Sequence, residues 1–587
     1  MDTCNNSPHW ASSMIWYQIF PDRFHKSSFS TTSPTISDLS GAWPNDLTSP
    51  WEVSSWSCSW HAFHPHEISS QSIFHHIQRR RYGGNLSGII EKLEYLKSFG
   101  IEGIYITPLF YAPSAHKYDA KMLHHIDPFF GPDPEKDKAI MKDEIFHDEE
   151  TWKWTSADLL ALDLLEKAEK LGLKVIFDGV FNHIGMTSSC FQDVEQNQES
   201  SIYKDWFQIE SFRSEKTTFK YKGWFGVNEL PQFLQTEDDL AEGPKSYIYK
   251  ITKRWMKPIV NGIERKGVDG WRLDVAYCIN HGFWKKWRSF VLSLNKEAFL
   301  TGEIIDNFDN VAKYLKGDEL DSVMNYNFWQ GVIEFFGFNR LKPTEFSKFW
   351  SDMLEKIPEQ AWFLLQNLLN SHDTARILTV INNRNVIKSS AFDFGKFFNE
   401  TLNSSNGSLM LMKPESDEYK IFKMMVVFQM TFIGSPLIFY GDEVGMWGAN
   451  DPDCRKPMLW EDIIYDDEVI DNKEPGSVKI KSKVGVNKDI FDFYKKIIEI
   501  RKKEKTLREG KLRGWINNDE KNIYGFFRET AEERIGIVFN NGFEEEEIEW
   551  AGEINLLLGE DIKIRREKDN FLSHLKGKSF IIMKFHK

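Results

Sequence analysis

Eight short runs rich in β-branched and aromatic residues recur along this chain, and helical patterns lie between them, for example over residues 87–99 and 157–171. Alternation of strand and helix is typical of a parallel sheet with helices packed on its faces. Eight such units predict an α/β fold in which the strands close into a (β/α)8 barrel. The predicted strands cover residues 14–20, 103–107, 174–178, 270–275, 298–303, 321–325, 362–369 and 436–440.

Two long stretches interrupt this alternation, and each directly follows a predicted strand. Residues 25–82 follow the first strand and are rich in Ser, Pro and Trp, whereas residues 183–245 follow the third strand and carry aromatic residues, Gly and Pro. Loops at the carboxyl ends of barrel strands build active sites, so we expect both insertions to be functional. We predict the first part of a catalytic barrel over 1–182, with a loop insertion at 25–82, and a small inserted domain B over 183–245.

The remaining chain divides near residue 507. The barrel pattern continues over residues 246–507 and then changes to short β-like runs at 523–527 and 535–539. The second run is followed by Asn540, Asn541 and Gly542, a sequence typical of a hairpin turn. These features predict a small C-terminal β-sandwich over residues 508–587.

Polar and ionisable side chains are concentrated at the ends of the predicted strands. Because the strand ends of a barrel meet at one face, residues that are far apart in the sequence should come together there. Buried carboxylates are costly unless paired, and Arg272 lies two positions before Asp274, on the same face of one strand, where it should keep Asp274 ionised. The strand-end residues are Asp178, Asn182, His183, Arg272, Asp274, Glu303, His372 and Asp373.

Glycoside hydrolysis gives three convergent carboxyl groups a chemical purpose. One carboxylate attacks the anomeric carbon while a protonated carboxylic acid donates to the leaving oxygen, through a positively charged transition state. Asp274 suits the attack, and Glu303 suits proton donation because neighbouring negative charge should raise its pKa. Asp373 would then stabilise positive charge or bind sugar hydroxyl groups.

Four segments resemble, in order and spacing, the signature regions of glycoside hydrolase family 13, the α-amylase family. They are DGVFNH at 178–183, GVDGWRLDVA at 267–276, TGEI at 301–304 and NSHDTAR at 370–376. Further segments resemble the branch of neopullulanases, cyclomaltodextrinases and maltogenic amylases, among them HKYD at 116–119, YKDWF at 203–207 and YGDEVGMWGANDPDCRKPM at 440–458. The resemblance runs from about residue 14 to the C-terminus, and so many motifs in one order make coincidence remote.

The resemblance implies a role for each candidate residue. Asp274 is implied to be the nucleophile, Glu303 the general acid/base and Asp373 the residue that stabilises the transition state. Asp178 is expected to support the site rather than to react. The residues implied to form the innermost sugar subsite are Tyr118, as a stacking platform, with His183, Arg272, His372, Asp451 and Arg455.

Several positions depart from the family pattern. Residues 276–278 lack the Lys-His pair typical of endo-acting α-amylases, and residues 304–306 lack the Trp that follows the acid/base in many cyclomaltodextrinases. Residues 230–233 resemble the fifth signature region only loosely, so the resemblance implies no product specificity. The first predicted strand begins at residue 14, without the N-terminal β-sandwich that helps the closest branch to dimerise, and the oligomeric state stays open.

Charge and cysteine usage narrow the expected partners and compartment. The net charge of −14 disfavours binding to phosphate backbones or anionic lipid, so neither nucleic acid nor membrane is an expected partner. The N-terminal segment does not match a secretory signal, and polar residues interrupt the longest apolar segment, at 424–440. A cytoplasmic protein is expected, because the five cysteines are odd in number and scattered: Cys4, Cys58, Cys190, Cys278 and Cys454.

The predicted chemistry requires no cofactor. The first strand leads into a segment without the Asn- and Asp-rich loop that binds calcium in many relatives, although a structural calcium ion held by oxygen ligands from other loops is compatible with the sequence. His61, His64, His66 and Glu67 form a cluster whose spacing matches no common zinc site, and we interpret them as exposed loop residues.

Four tryptophans of the first insertion allow two interpretations. Exposed indoles on the catalytic face would stack on sugar rings beyond the point of cleavage. Alternatively, the indoles form a satellite core that holds a long loop in place. Both interpretations stay open for Trp43, Trp51, Trp56 and Trp60.

Together these observations predict a retaining α-glucan hydrolase that cleaves α-1,4-glucosidic bonds of maltooligosaccharides or cyclomaltodextrins by double displacement. A transglycosylase or sugar isomerase on the same barrel is an alternative, because a sugar hydroxyl can intercept a covalent glucosyl-enzyme in place of water. A non-catalytic sugar-binding protein is a further alternative, against which the three carboxyl groups and two histidines argue.

Overall fold

Eight parallel strands close into the predicted barrel. The computed structural model describes residues 9–27, 32–68, 70–403, 408–470, 480–551, 553–567 and 570–586. Each strand pairs with its neighbours in the chain, and the eighth pairs with the first. The strands are β1 (Trp16–Ile19), β2 (Gly103–Ile106), β3 (Lys174–Gly179), β4 (Gly270–Leu273), β5 (Phe299–Gly302), β6 (Ser322–Asn325), β7 (Gln366–Leu368) and β8 (Ser435–Phe439).

The seventh strand is shorter than predicted. The apolar run at 362–369 predicts one strand, but residues 362–364 form a turn after the 3-10 helix Glu359–Ala361, and only β7 joins the barrel. Leu364 and Leu365 are buried before the strand begins. Burial in a turn and burial in a strand produce the same run of apolar residues, so the pattern alone cannot separate them.

The predicted helix over 87–99 is two helices, Leu86–Glu91 and Leu93–Phe99, which meet at Lys92. Asn85 caps the first helix, because its side-chain oxygen accepts a hydrogen bond from the Gly88 N–H at 2.8 Å. Gly100 ends the second helix with a φ of 107°, a left-handed conformation that glycine adopts without strain.

Helices connect the strands of the barrel. The helix Ser156–Lys170, predicted over 157–171, begins with a capping box in which Thr155 and Asp158 bond each other's backbone N–H groups.

No helix of the described chain has the length and apolar character needed to cross a membrane. The remaining α-helices are Pro21–Phe24, Ile73–Arg79, Pro134–Lys142, Ser189–Asn197, Glu242–Met256, His281–Leu294, Phe308–Tyr314, Tyr326–Val332, Pro343–Lys356, Ile377–Asn382, Phe394–Thr401, Ser416–Thr431, Lys488–Lys503 and Lys505–Glu509.

The two insertions differ in structure. The described residues of the first include the α-helix Ile73–Arg79, and Trp56 and Trp60 pack with Ile73, Ile77 and Tyr82 in a small apolar cluster. The second, after β3, contains the helix Ser189–Asn197 and two small antiparallel pairs. Those pairs are Ile209–Ser211 with Lys220–Tyr221 and Gly223–Trp224 with Val227–Pro231.

An antiparallel sheet domain follows the barrel, where the sequence predicts a small β-sandwich. Its strands are β9 (Lys511–Asn518), β10 (Ile523–Glu529), β11 (Glu533–Asn540), β12 (Glu546–Ala551), β13 (Ile554–Glu567) and β14 (Asn570–His586). All six belong to one hydrogen-bonded sheet, in which β14 pairs with β11, β12 and β13.

Alternating side chains give this sheet two buried faces. Tyr524 and Phe539 belong to the core that includes the barrel, whereas their neighbours Ile523 and Val538 join Trp550 in a separate apolar cluster. Successive residues of a strand point to opposite faces, so one face docks on the barrel and the other covers a core of its own.

Candidate active site

The guanidinium of Arg272 lies among three carboxyl groups at the carboxyl ends of β3, β4 and β5. Its Nη1 contacts Asp178 at 3.0 Å and Asp274 at 2.9 Å, and its Nη2 contacts Glu303 at 2.7 Å. All four side chains are buried, so the guanidinium offsets much of the cost of burying the carboxyl groups. The predicted pairing of Arg272 with Asp274 is confirmed as a contact.

Strand register explains how these residues meet. Arg272 pairs in register with Asp178 of the neighbouring strand β3, and Asp274 follows two positions later on the same side of the chain. Glu303 directly follows β5, the next strand around the barrel. The carboxyl ends of parallel strands therefore bring together residues that are far apart in the sequence.

Val275 has a backbone conformation that is rare for a β-branched residue, with a φ of 38°. Its N–H donates a hydrogen bond to Oε2 of Glu303 at 3.1 Å. A strained conformation of this kind costs about 1–3 kcal/mol and persists where surrounding contacts enforce it, commonly at functional sites. The sequence has no signal for it, because valine gives no indication of a left-handed turn.

Burial raises the pKa of both Asp274 and Glu303, while the positive charge of Arg272 lowers it. The raised pKa of Glu303 agrees with the direction predicted. For Asp274, the charge of Arg272 lowers the pKa as predicted, but burial outweighs it and holds the pKa well above its usual value, so the prediction that Arg272 keeps Asp274 ionised is not confirmed. The two carboxyl groups contact different nitrogens of one guanidinium, and two buried carboxyl groups this close together are costly to ionise at the same time, which favours a state with one anion and one acid.

Asp373 is kept as an anion by its neighbours. Burial acts to raise its pKa, but the charge and hydrogen bond of His372 and the charge of Arg455 outweigh it and hold the pKa well below its usual range. Asp373 lies 3.0 Å from Nε2 of His372 and 2.9 Å from Nη2 of Arg455. Its side chain is 29 % exposed, so it remains open to a ligand.

Arg455 connects Asp451, the other predicted subsite residue of this segment, to the rest of the site. Its Nη1 contacts Asp451 at 2.8 Å, and its Nε donates to the carbonyl oxygen of His372 at 2.7 Å. The spacing of four residues between Asp451 and Arg455 thus closes a charged pair beside Asp373, where the sequence placed it.

Tyr118 and His372 lie parallel in contact. Their ring centroids are 5.4 Å apart with an interplanar angle of 6°, and the Tyr118 hydroxyl contacts both Nε2 of His372 and, at 3.1 Å, Oδ2 of Asp178. The half-buried tyrosine ring is fixed by these contacts. A fixed, partly exposed aromatic ring is suited to stacking on a sugar.

His183 is buried and neutral. Burial lowers its pKa to about 4, and Asn182 contacts its Nδ1 at 3.2 Å. Its Nε2 has no hydrogen-bond partner among the described residues. A buried ring nitrogen without a partner is costly, so His183 is suited to bind a hydroxyl group of a ligand.

Three supporting residues were not predicted. Gln18 contacts Nδ1 of His372 at 2.7 Å, and Tyr105 donates to Oδ2 of Asp178 at 2.6 Å. Tyr326 bonds Ser371, beside Asp373, at 3.2 Å. The signal that could have found Gln18 is an amide inside the otherwise apolar β1, since a polar residue in such a strand needs a partner.

The histidine-rich segment of the first insertion forms ion pairs. His61 lies 2.6 Å from Glu468 and 3.1 Å from Asp453, and Glu67 pairs with Arg80 at 2.7 Å. The two neighbouring carboxylates raise the pKa of His61 to about 9, although burial opposes them. The cluster lies in a loop, but the interpretation that its residues are exposed is wrong for His61, His64 and Glu67: His64 is buried, and the ion-paired side chains of His61 and Glu67 are 7 % and 3 % exposed.

The tryptophans of the first insertion divide between the two interpretations. Trp60 is buried, stacks on Tyr82 and donates to Asp453 at 2.8 Å. Trp56 packs against Tyr82 and donates to a backbone carbonyl group, and Trp51 also donates to one. Trp43 is 61 % exposed and remains available to a ligand.

We therefore expect one alanine substitution to affect substrate binding and another to affect stability. Trp43→Ala should raise KM for maltoheptaose about fivefold relative to maltotriose, because one aromatic contact contributes about 1 kcal/mol, and should leave Tm unchanged. Trp60→Ala should destabilise the protein by about 3–5 kcal/mol because it leaves a cavity. Steady-state kinetics and thermal melts measure both. An unchanged KM ratio in Trp43→Ala would remove Trp43 from the binding site.

The chain matches a model of a known protein family. The Alpha-amylase family model, which describes the alpha amylase catalytic domain, matches residues 18–144, 155–411 and 409–510. These ranges contain all of the predicted site residues, from Tyr118 to Arg455.

Relatives resemble this chain over most of its length. Neopullulanase 2 of Thermoactinomyces vulgaris is 34 % identical over 544 residues, which cover 92 % of this chain and 72 % of that protein. The intracellular maltogenic amylase of Bacillus subtilis is 32 % identical over 536 residues, covering 91 % and 69 %. The solved structure of a cyclomaltodextrinase aligns with a TM-score of 0.68 and 27 % identity, covering 98 % of this chain and 79 % of that one.

Proposed function

This chain belongs to the α-amylase family and is a glycoside hydrolase of the cyclomaltodextrinase and neopullulanase type, and from that premise we propose that it cleaves α-1,4-glucosidic bonds of maltooligosaccharides or cyclomaltodextrins with retention of configuration. The observation that carries the retaining chemistry is the contact of one guanidinium, that of Arg272, with both Asp274 and Glu303. Retaining enzymes keep their two carboxyl groups roughly 5–5.5 Å apart, whereas inverting enzymes need room for a water molecule between them.

The proposed reaction has two displacement steps. Asp274 attacks the anomeric carbon while Glu303 gives its proton to the leaving oxygen, which forms a covalent glucosyl-enzyme and breaks the glucosidic bond. Glu303, now a carboxylate, takes a proton from water as that water attacks the anomeric carbon and releases Asp274. The anion Asp373 offsets the positive charge of each transition state. The carboxyl groups supply all of this chemistry, so we propose no cofactor for it.

Substrate binding is assigned to the residues around these carboxyl groups. Tyr118 would stack on the sugar ring bound next to the cleaved bond, and the unpartnered Nε2 of His183 would bind a hydroxyl group of that ring. Asp451 and Arg455 would contribute further contacts at the same subsite and hold Asp373 in place. The expected substrate is therefore a neutral α-glucan oligosaccharide.

We also propose a cytoplasmic location. The four cysteines of the described chain, Cys58, Cys190, Cys278 and Cys454, are free thiols, which are typical of reducing compartments. The related amylase of Bacillus subtilis is described as intracellular. Such an enzyme would act on oligosaccharides present inside the cell.

A product analysis tests the proposal. We expect the purified enzyme to release short maltooligosaccharides from maltoheptaose and from β-cyclodextrin, with the α-anomer appearing first in proton NMR spectra. Pullulan and starch in parallel reactions report the choice of bond and chain length. Products longer than the substrate would indicate transglycosylation, and isomers of a disaccharide would indicate a sugar isomerase. The β-anomer as the first product would exclude double displacement.

A further inference from the structure

Two adjacent histidines and a glutamate converge away from the candidate active site. Nε2 of His125 lies 2.6 Å from Oε2 of Glu144, and Nε2 of His124 lies 3.6 Å from the same oxygen. The three possible ligand atoms all lie within 4.8 Å of one another. Among the residues that the structure describes, these three form the one group of His, Cys, Asp and Glu side chains whose atoms lie close enough together to hold a metal ion.

The outer partners of both histidines have the arrangement expected around a metal. Nδ1 of His125 bonds Oδ2 of Asp158 at 2.7 Å, and Nδ1 of His124 bonds the hydroxyl of Tyr247 at 2.8 Å. Metal-binding histidines commonly donate their second ring N–H to a carboxylate or another fixed acceptor, which orients the ring and makes the ligand nitrogen more basic. Both Nε2 atoms are thereby left to face Glu144.

The surroundings hold these rings in place. The His124 ring stacks on Trp152 with centroids 4.2 Å apart, and burial lowers the pKa of His124 to about 3, so its imidazole is neutral. Asp158 is also paired with Arg254 at 3.1 Å. None of these residues contacts the carboxyl groups assigned to catalysis, so the proposed reaction does not explain their convergence.

We propose that His124, His125 and Glu144 bind a divalent transition-metal ion of the zinc class. Zinc bonds to nitrogen and carboxylate oxygen are about 2.0–2.2 Å long, which puts tetrahedral ligand atoms about 3.3 Å apart. The observed separations of 2.6 and 3.6 Å lie on either side of that value, and small rotations of the side chains would accommodate the ion. A water molecule would complete the tetrahedron.

Without metal, His125 lies between two carboxylates, 2.6 Å from Glu144 and 2.7 Å from Asp158. The ion would replace the direct contact between His125 and Glu144 and bind both side chains. The ion would fix the position of His124 and His125, which lie in the same segment as Asp127. Asp127 forms an ion pair with Lys117, the residue next to Tyr118, which we propose stacks on the sugar.

Metal titration of the full-length, tag-free enzyme tests the site. After treatment with a chelator, the wild type should bind about one equivalent of Zn²⁺, and this binding should raise the Tm. Co²⁺ bound in place of Zn²⁺ should give the intense visible spectrum of tetrahedral cobalt. His124→Phe retains a ring to stack on Trp152 but removes a ligand, and Glu144→Gln removes the carboxylate. Both should weaken Zn²⁺ binding by more than the roughly 10–100-fold lost when an outer partner is changed.

His147→Gln is the matched control, because it removes a nearby half-buried histidine that bonds Tyr203 and leaves the three ligands intact. It should bind Zn²⁺ as the wild type does. If the folded wild type binds no Zn²⁺, the cluster is an ion-pair network around a protonated His125 and the proposal is wrong. Equal affinity in the wild type and both ligand variants would also overturn it. Activity on maltoheptaose is a separate readout, so the two proposals can fail independently.

Discussion

Replacing Asp274 with asparagine is expected to lower kcat for maltoheptaose by on the order of 10⁴-fold or more, because an amide of nearly the same size cannot attack the anomeric carbon. Arg272 keeps its contacts with Asp178 and Glu303, so the variant should fold. Product release measured over long incubations gives the rate, and circular dichroism with thermal melting checks the fold.

Trapping the intermediate separates a lost nucleophile from a general defect. A 5-fluoroglucosyl fluoride should add one covalently bound sugar to the wild type in mass spectra and none to Asp274→Asn. Asp309→Asn is the control, since Asp309 is 65 % exposed and pairs only at the surface with Lys356 among the contacts found. Such a pair contributes little to stability. A rate for Asp274→Asn within about tenfold of the wild type would place the nucleophile elsewhere.

The barrel and the meeting of its strand ends could be predicted from the sequence. Each predicted strand is a short apolar run, and one architecture accounts for eight such runs separated by helices. Once the barrel is assumed, Asp178, Asp274 and Glu303 must lie on one face because each stands at the end of a strand. The structure places all three on Arg272, and their catalytic roles stay predictions.

Contacts between distant side chains could not be predicted in the same way. Trp43 and Trp60 belong to one loop with no periodic pattern, yet one indole is exposed and the other is buried against Tyr82. The difference depends on which residues of the 453–468 segment fold over the loop, and no local property of a tryptophan encodes that. The same holds for His124 and Glu144, which are brought together by tertiary packing.

Arg272 has a role that only the geometry reveals. A lone carboxylate beside this cation would be held as an anion, but three buried carboxyl groups, those of Asp178, Asp274 and Glu303, share its charge. If one group of the pair Asp274 and Glu303 ionises, burial and the new negative charge make the other reluctant to follow, and a single proton stays in the pair. Double displacement needs this state, in which one group attacks and the other donates a proton.

Glu303→Gln should show which group holds that proton. On maltoheptaose, loss of the general acid is expected to lower the rate about 10²–10⁴-fold, because the sugar leaving group departs poorly without protonation. On α-maltosyl fluoride, formation of the covalent intermediate should fall less than about tenfold, because fluoride leaves without a proton. Rapid-quench measurements of the first turnover with both substrates give these rates.

The pH dependence provides an independent check on Glu303. In the wild type kcat/KM should fall as the pH rises through the raised pKa of Glu303, since the acid form is lost, and this limb should disappear in Glu303→Gln because an amide does not titrate in this range. Asp306→Asn, three positions later and exposed to solvent, should keep the wild-type profile. If Glu303→Gln slows both substrates equally and keeps the limb, another group donates the proton, and Glu303 acts only through its contacts with Arg272 and the Val275 N–H.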